Sequence, residues 1–131
     1  MRYVIALDTT LRLCRENLIP PASKLVAPAL LRSQMLSQLY ASVRRGEIDR
    51  KTANLQLDHL RTLKVRLLGD RVLQKAAWDI AAHFDWNDTF TAEYVALTKL
   101  QADAFITLDD DLARSLDGIV PLAPFESLMD T

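Results

Sequence analysis

Two aspartates follow apolar runs. Asp8 comes directly after Tyr3–Leu7, and Asp109 directly after Ala104–Leu108. In open α/β sheets, ligands bind beyond the carboxyl ends of the strands. If the two runs are neighbouring parallel strands, these carboxylates lie a few ångströms apart and repel each other unless a cation joins them. Magnesium takes one or two protein carboxylates and completes its shell with water and substrate phosphate oxygens. Asp109 also stands where it can cap a helix over Asp110–Leu116. A single aspartate of this kind is explained by capping alone, but two at one sheet edge point to a cation site.

The remaining reactive side chains lack partners of the right type. Cys14 lies between Leu13 and Arg15 with no His nearby in sequence, so it reads as a small buried hydrophobe rather than a nucleophile. His59 adjoins the apolar positions Leu57 and Leu60, and His83 adjoins Phe84, which assigns both to structural or surface roles. Trp78 and Trp86 belong either to the core or to a groove for a partner peptide.

The elements that must hold the two aspartates can be read from the pattern. Five short apolar runs, Tyr3–Leu7, Leu25–Ala27, Val65–Leu68, Ala104–Leu108 and Ile119–Leu122, are bounded by polar or turn residues, as buried parallel strands are. Helices are expected between them. One spans about Thr10–Leu18. Another runs from Pro28 to Arg45, with Gly46 behind it and an apolar stripe of Leu31, Met35, Leu39 and Val43. A third is capped by Asp49, with Ile48 and Ala53 as a hydrophobic staple. A fourth is capped by Asp70, with a buried side of Leu73, Ala76, Ala77, Ile80, Ala81 and Phe84. Two more cover Thr91–Leu100 and Asp110–Leu116. Alternating strands and helices predict one α/β domain over residues 1–131, three-layered, with a parallel sheet of about five strands flanked by helices. The long helical stretch 28–63 makes it more helical than a flavodoxin-like fold.

The 131 residues are half hydrophobic and one quarter charged, a globular profile that excludes disorder and fibrous repeats. No apolar run reaches membrane-spanning length, and Asp8 interrupts the N-terminal apolar stretch too early for a secretory signal. The single cysteine excludes an internal disulfide and a cysteine-based zinc site, so an intracellular, cytoplasmic protein is expected. The net charge of −1 conceals an asymmetry: residues 1–75 carry 14 Lys and Arg against 6 Asp and Glu, and residues 76–131 carry 2 against 11. Either the two halves present faces for phosphates and for cations, or the charges only solvate helix surfaces.

Several segments, in order, resemble the PIN-domain ribonucleases, specifically the bacterial VapC-type toxins. They are Leu7-Asp8-Thr9-Thr10; Leu25-Val26-Ala27-Pro28 running into Leu30-Leu31-Arg32-Ser33; Val43-Arg44-Arg45-Gly46-Glu47-Ile48; Ala92-Glu93-Tyr94-Val95-Ala96-Leu97; and Phe105-Ile106-Thr107-Leu108-Asp109. The resemblance implies a PIN-like fold, a four-acid cluster binding Mg2+ or Mn2+, cleavage of RNA phosphodiesters, homodimerisation and neutralisation by a cognate antitoxin protein. Asp8 matches the first family acid and Asp109 the last, with Thr107 as the adjoining hydroxyl. The second acid position is Gln34 here and the third is Thr91. Asp88, about one turn before Thr91, and Asp111 are the candidates to reach the same cleft. Glu93 and Asp110 point elsewhere by helical spacing, and all four also suit the negative charge preferred at helix N-termini. Gln34 can offer an amide oxygen to a metal or bond its water, or it can flank the Leu31/Met35 stripe as a solvated residue.

RNA contact is expected from the basic stretch that includes Arg44, Arg45, Arg50 and Lys51, where nine cations stand against four acids between residues 44 and 75. Two other phosphate-handling classes fail on residue type. A phosphoacceptor receiver domain needs an acidic pair after the first strand and a Lys ending the last, whereas Asp8 is single and Ile119-Val120-Pro121-Leu122 has no Lys. A haloacid-dehalogenase-type phosphatase needs an Asp two residues after the first, where this chain has Thr10. Two functions remain: a metal-dependent ribonuclease toxin with weakened activity, and a catalytically degenerate PIN domain that binds RNA or an antitoxin without cleaving.

Overall fold

The computed structural model describes residues 1–21 and 24–130. The chain runs β1 (Arg2–Ile5), α1 (Leu7–Arg15), β2 (Lys24–Pro28), α2 (Leu31–Arg44), α3 (Arg50–Thr62), β3 (Arg66–Leu68), α4 (Arg71–His83), α5 (Phe90–Gln101), β4 (Ala104–Ile106), α6 (Asp110–Leu116) and a final 3₁₀ turn, Phe125–Met129. The four strands form one parallel sheet in the order β3-β2-β1-β4. On one side α1, α2 and α3 pack on one another. On the other α5 lies against β1, β2 and β4 with α4 behind it, giving helices, sheet and helices as layers.

Strand identity follows from burial on both faces. Val4, Ile5, Val26, Ala27, Phe105 and Ile106 are all 2% exposed or less, so β1, β2 and β4 read as continuous apolar runs rather than alternating ones. The edge strand β3 is only partly covered and begins with the exposed Arg66. The strand expected at Ile119–Leu122 is reduced to a single bridge, Leu122 to Phe105. Phe105 N–H donates to Pro121 O and Ala123 N–H donates to Phe105 O, at 2.9 and 3.1 Å. Pro121 and Pro124 lack N–H donors, and Gly118 (φ +79°) turns the chain just before, so the ladder cannot lengthen. Among the described residues the sheet therefore has four strands, not about five.

Helix boundaries show where sequence signals compete. Asp49 and Asp70 cap α3 and α4 as expected, accepting from Thr52 N–H at 2.7 Å and Leu73 N–H at 2.9 Å. Pro28 belongs to β2 rather than to the start of α2, which begins at Leu31. The first helix starts at Leu7 and ends at Arg15, earlier at both ends than about Thr10–Leu18. Leu31, Met35 and Leu39 bury the inner face of α2, each at most 3% exposed.

Gly46 closes α2 with φ +76°, and Glu47 N–H reaches back to Ser42 O at 3.0 Å, the six-to-one bond of a Schellman cap. A Cβ at Gly46 would meet nothing within 4 Å, so only the backbone resists substitution. Gly46→Ala is therefore expected to lower stability by about 1 kcal/mol through left-handed strain alone, measured as a shifted urea midpoint with unchanged slope. A loss well above that would mean that the turn contributes more than its conformation.

Candidate functional site

The strand order places a topological switch between β1 and β4. From β1 the chain proceeds to β2 and β3 on one side, then returns to β4 on the other. The register Tyr3↔Ala104, Val4↔Phe105, Ile5↔Ile106 sets the carboxyl ends of both strands side by side. A cleft of about 260 Å³ opens there, lined by Asp8, Gln34, Thr91, Tyr94, Thr107 and Asp109 with apolar walls from Leu7, Phe105 and Leu112. Asp8 does not end its strand as the sequence suggests. Its strand stops at Ile5, and Asp8 sits in the first turn of α1, where its charge also suits the helix N-terminus.

The two acids are held by neutral donors. Ala6 N–H and the buried Thr9 hydroxyl both donate to Ile106 O, at 3.0 and 2.9 Å, tying the start of α1 to the end of β4. Leu108 N–H donates to Asp8 Oδ1 and the Thr107 hydroxyl donates to Asp8 Oδ2, both at 3.2 Å. Thr107 Oγ1 in turn accepts from Asp109 N–H at 3.2 Å, so this one hydroxyl spans the two acids. Asp109 caps α6 through Leu112 N–H at 3.0 Å while still lining the cleft. Capping and a place in the cleft are thus compatible.

Gln34 and Thr91 join Asp8 and Asp109 in the cleft; Asp88 and Asp111 do not line it. Asp88 is exposed and turned to the start of α5, where Oδ1 accepts from Phe90 N–H at 3.1 Å. Asp111 is exposed and bonded to Arg114. Glu93 and Asp110 also lie outside the lining, and desolvation holds the Glu93 carboxyl above its ordinary range. Among the described residues, no three His, Cys, Asp or Glu side chains come together to hold a metal. The cleft offers two carboxylates, the number magnesium takes from protein at most sites, surrounded by hydroxyl and amide groups.

Tyr94, quoted in the sequence only as part of a motif, proves to be a lining residue. Its hydroxyl donates to Gln34 Oε1 at 2.7 Å, linking α5 to α2. The signal that could have found it is a lone phenol inside an otherwise apolar buried run, Tyr94–Leu97, where its hydroxyl must find a partner.

The other candidate residues are accounted for outside the cleft. Cys14 is buried, and desolvation pushes its thiol up to about 11, which keeps it protonated and inert. His59 is buried with Nε2 2.8 Å from Leu18 O, and His83 meets Phe84 edge-on. Trp86 stacks on Phe84, while Trp78 is exposed. Arg44, Arg45, Arg50 and Lys51 are all exposed at the α2–α3 connection. Arg45 forms a paired contact with Glu47, at 3.0 and 3.1 Å. Arg44 lies ten residues beyond Gln34 on the same helix, about 15 Å along its axis. The basic cluster therefore stands away from the acids rather than around them.

No family model matches the chain, and no curated protein matches it in sequence. Its fold is similar to that of PAE2754 from Pyrobaculum aerophilum, seen in a crystal structure, with a TM-score of 0.71 over 98% of this chain and 96% of that one, at 18% identity. The likeness is one of fold. No helix among the described residues is long and apolar enough to cross a membrane.

Thr107→Val keeps the shape but removes the hydroxyl between the two acids. It is expected to cost about 1 kcal/mol of stability, read by urea unfolding. A stability unchanged from wild type would show that water replaces the hydroxyl without loss.

Proposed function

We propose that the chain is a PIN-like, VapC-type ribonuclease with a reduced acid set, cleaving RNA with the help of a single divalent cation, Mg2+ or Mn2+. One observation carries this reading: the four positions Asp8, Gln34, Thr91 and Asp109, chosen by resemblance, line one cleft at the switch point of a parallel sheet. They come from α1, α2, α5 and the β4–α6 turn, and residues 8 and 109 are 101 positions apart. Coincidence among unrelated surface positions would scatter them. A toxin role, neutralisation by an antitoxin protein, homodimerisation and a cytoplasmic setting follow from the same resemblance and belong to the same proposal.

Asp8 and Asp109 would hold the cation, which supplies charge stabilisation to the phosphate and an activated water. Thr107 ties the Asp8 carboxylate to the Asp109 backbone, Leu112 N–H holds the Asp109 carboxylate, and Leu108 N–H fixes the Asp8 carboxylate from the opposite chain segment. Gln34 and Thr91 contribute polarity without charge. Two carboxylates balance one divalent ion, whereas four are needed to balance two. The geometry therefore favours one tightly held cation and slow cleavage.

Divalent ions at millimolar concentration should raise the melting temperature of the wild type, and Asp8→Asn should abolish both that shift and Mn2+ binding by calorimetry. Gln34→Glu combined with Thr91→Asp should tighten Mn2+ binding and increase RNA cleavage. Metal binding without any cleavage, even in the restored double variant, would favour the degenerate reading, in which the domain binds RNA or an antitoxin only.

RNA binding is expected to involve the exposed cations at the α2–α3 connection. Replacing Arg44 and Arg45 together by Ala should weaken binding to all RNAs alike and flatten the salt slope by about two or less. Since Glu47 already engages Arg45, most of the effect should come from Arg44. An unchanged slope would place the RNA surface elsewhere.

A further inference from the structure

The Gln34 corner of the cleft is built for the opposite charge from the Asp8 and Asp109 corner. Tyr94 is 4% exposed, and the one acceptor its hydroxyl finds among the described residues is Gln34 Oε1, 2.7 Å away. That bond decides which way the amide faces. Turned over, Gln34 would present its NH2 to a buried hydroxyl left with no described acceptor for its own proton, a net loss. Desolvation, reinforced by the negative charges of Glu93 and Asp8, holds the Tyr94 phenol well above its ordinary range, so it remains a donor at any working pH. The amide oxygen is turned to Tyr94, which takes one of its two lone pairs. The NH2 bonds to no described residue and is not sealed from solvent, since among the described residues no buried polar side-chain atom lacks a partner. Gln34 lines the cleft, and the part of its amide that bonds to no described residue is a pair of N–H donors.

Such a group repels a cation and suits an oxyanion. We propose that Gln34, aimed by Tyr94, donates an amide N–H to a non-bridging phosphate oxygen of bound RNA instead of ligating metal, which makes the neutral corner of the cleft a phosphate subsite. The proposal rests on the nuclease reading of the same cleft. Charge supports it: two carboxylates and one divalent ion sum to zero, and a neutral donor admits the phosphodiester anion without a second cation. A carboxylate at position 34 would repel that anion. Tyr94 is then a positioning residue. The Thr91 hydroxyl, on the same wall, adds a second neutral group.

The test follows two ligands separately on the full chain: Mn2+ alone by calorimetry, and a fluorescein-labelled octaribonucleotide by anisotropy, the latter with Mn2+ and again in EDTA. Gln34→Met should leave Mn2+ affinity within about twofold of wild type and weaken the oligonucleotide about tenfold, the equivalent of one hydrogen bond to a charged group. Tyr94→Phe frees the amide to turn, so it should leave Mn2+ affinity equally unchanged and weaken the oligonucleotide roughly three- to fivefold. Gln34→Glu should reverse the preference, with tighter Mn2+ and weaker oligonucleotide in EDTA. The proposal is overturned if Gln34→Met weakens Mn2+ binding as Asp8→Asn does, or if it leaves oligonucleotide affinity unchanged in both buffers. Absence of Mn2+ binding by the wild type would sink the nuclease reading instead, because the EDTA arm judges the Gln34 contact without metal.

Discussion

The parallel pairing of β1 with β4 is the constraint on which the rest of the molecule depends. It joins segments about a hundred residues apart, in the register Val4↔Phe105 and Ile5↔Ile106. Four of the most deeply buried side chains in the protein lie at these positions, each 1% exposed or less. Burial of such a side chain is worth about 1.5–3 kcal/mol, against about 1 kcal/mol net for a ladder hydrogen bond. Apolar packing therefore sets the register, and the hydrogen bonds follow it. A slip of one residue would break both contacts that Asp103 makes with Arg2, its own N–H to Arg2 O at 2.8 Å and Arg2 N–H to its carboxylate at 2.7 Å. Once the register is fixed, Ile106 O receives Ala6 and Thr9, and the turn after β4 arrives at Asp8.

The cleft that results is held by dipoles rather than by ion pairs. None of the salt bridges among the described residues involves Asp8 or Asp109; those bridges are short-range and exposed, and each contributes little. Backbone N–H groups and the Thr107 hydroxyl orient the carboxylates without neutralising them, which preserves negative charge for a ligand. The Tyr94–Gln34 bond does the same for the opposite wall, fixing an amide without giving it a charge. Orientation by neutral groups is the common feature of both walls. It leaves both carboxylates without a cationic side-chain partner among the described residues and the Gln34 amide turned one way.

Several elements were legible from local physics. The caps Asp49 and Asp70, the stop at Gly46, the span Asp110–Leu116 and the buried stripe Leu31, Met35, Leu39 each depend on contacts within a few turns of one helix. The misplacements have a single kind of cause. Pro28 reads equally well as a helix start or a strand end, and pairing with Leu68 makes it a strand residue. Ile119–Leu122 has a strand's composition, but Pro121 removes a donor the ladder needs. Leu7–Thr10 looks like strand followed by turn, yet Ala6 N–H makes the last bond to β4, at Ile106 O, and Thr10 N–H donates back to Ala6 O at 3.0 Å as the first bond of α1.

By itself the sequence determined the α/β class, the helix signals and the candidacy of Asp8 and Asp109, because these follow from residue type, spacing and nearest neighbours along the chain. It also singled out Gln34 and Thr91, the residues at two of the acid positions that the resemblance to PIN-domain ribonucleases implies. Whether Asp88 and Asp111 take their place could not be read from spacing, since each has a local alternative: Asp88 turns to Phe90 N–H, and Asp111 is taken by Arg114. The tertiary structure decided that the β1 and β4 ends adjoin, that Gln34 and Thr91 line the same cleft, and that Tyr94 turns the Gln34 amide. The physical reason is range. A hydrogen bond between residues 34 and 94, or between 107 and 8, exists only after strand order and register have brought distant segments together, and no local propensity encodes that meeting.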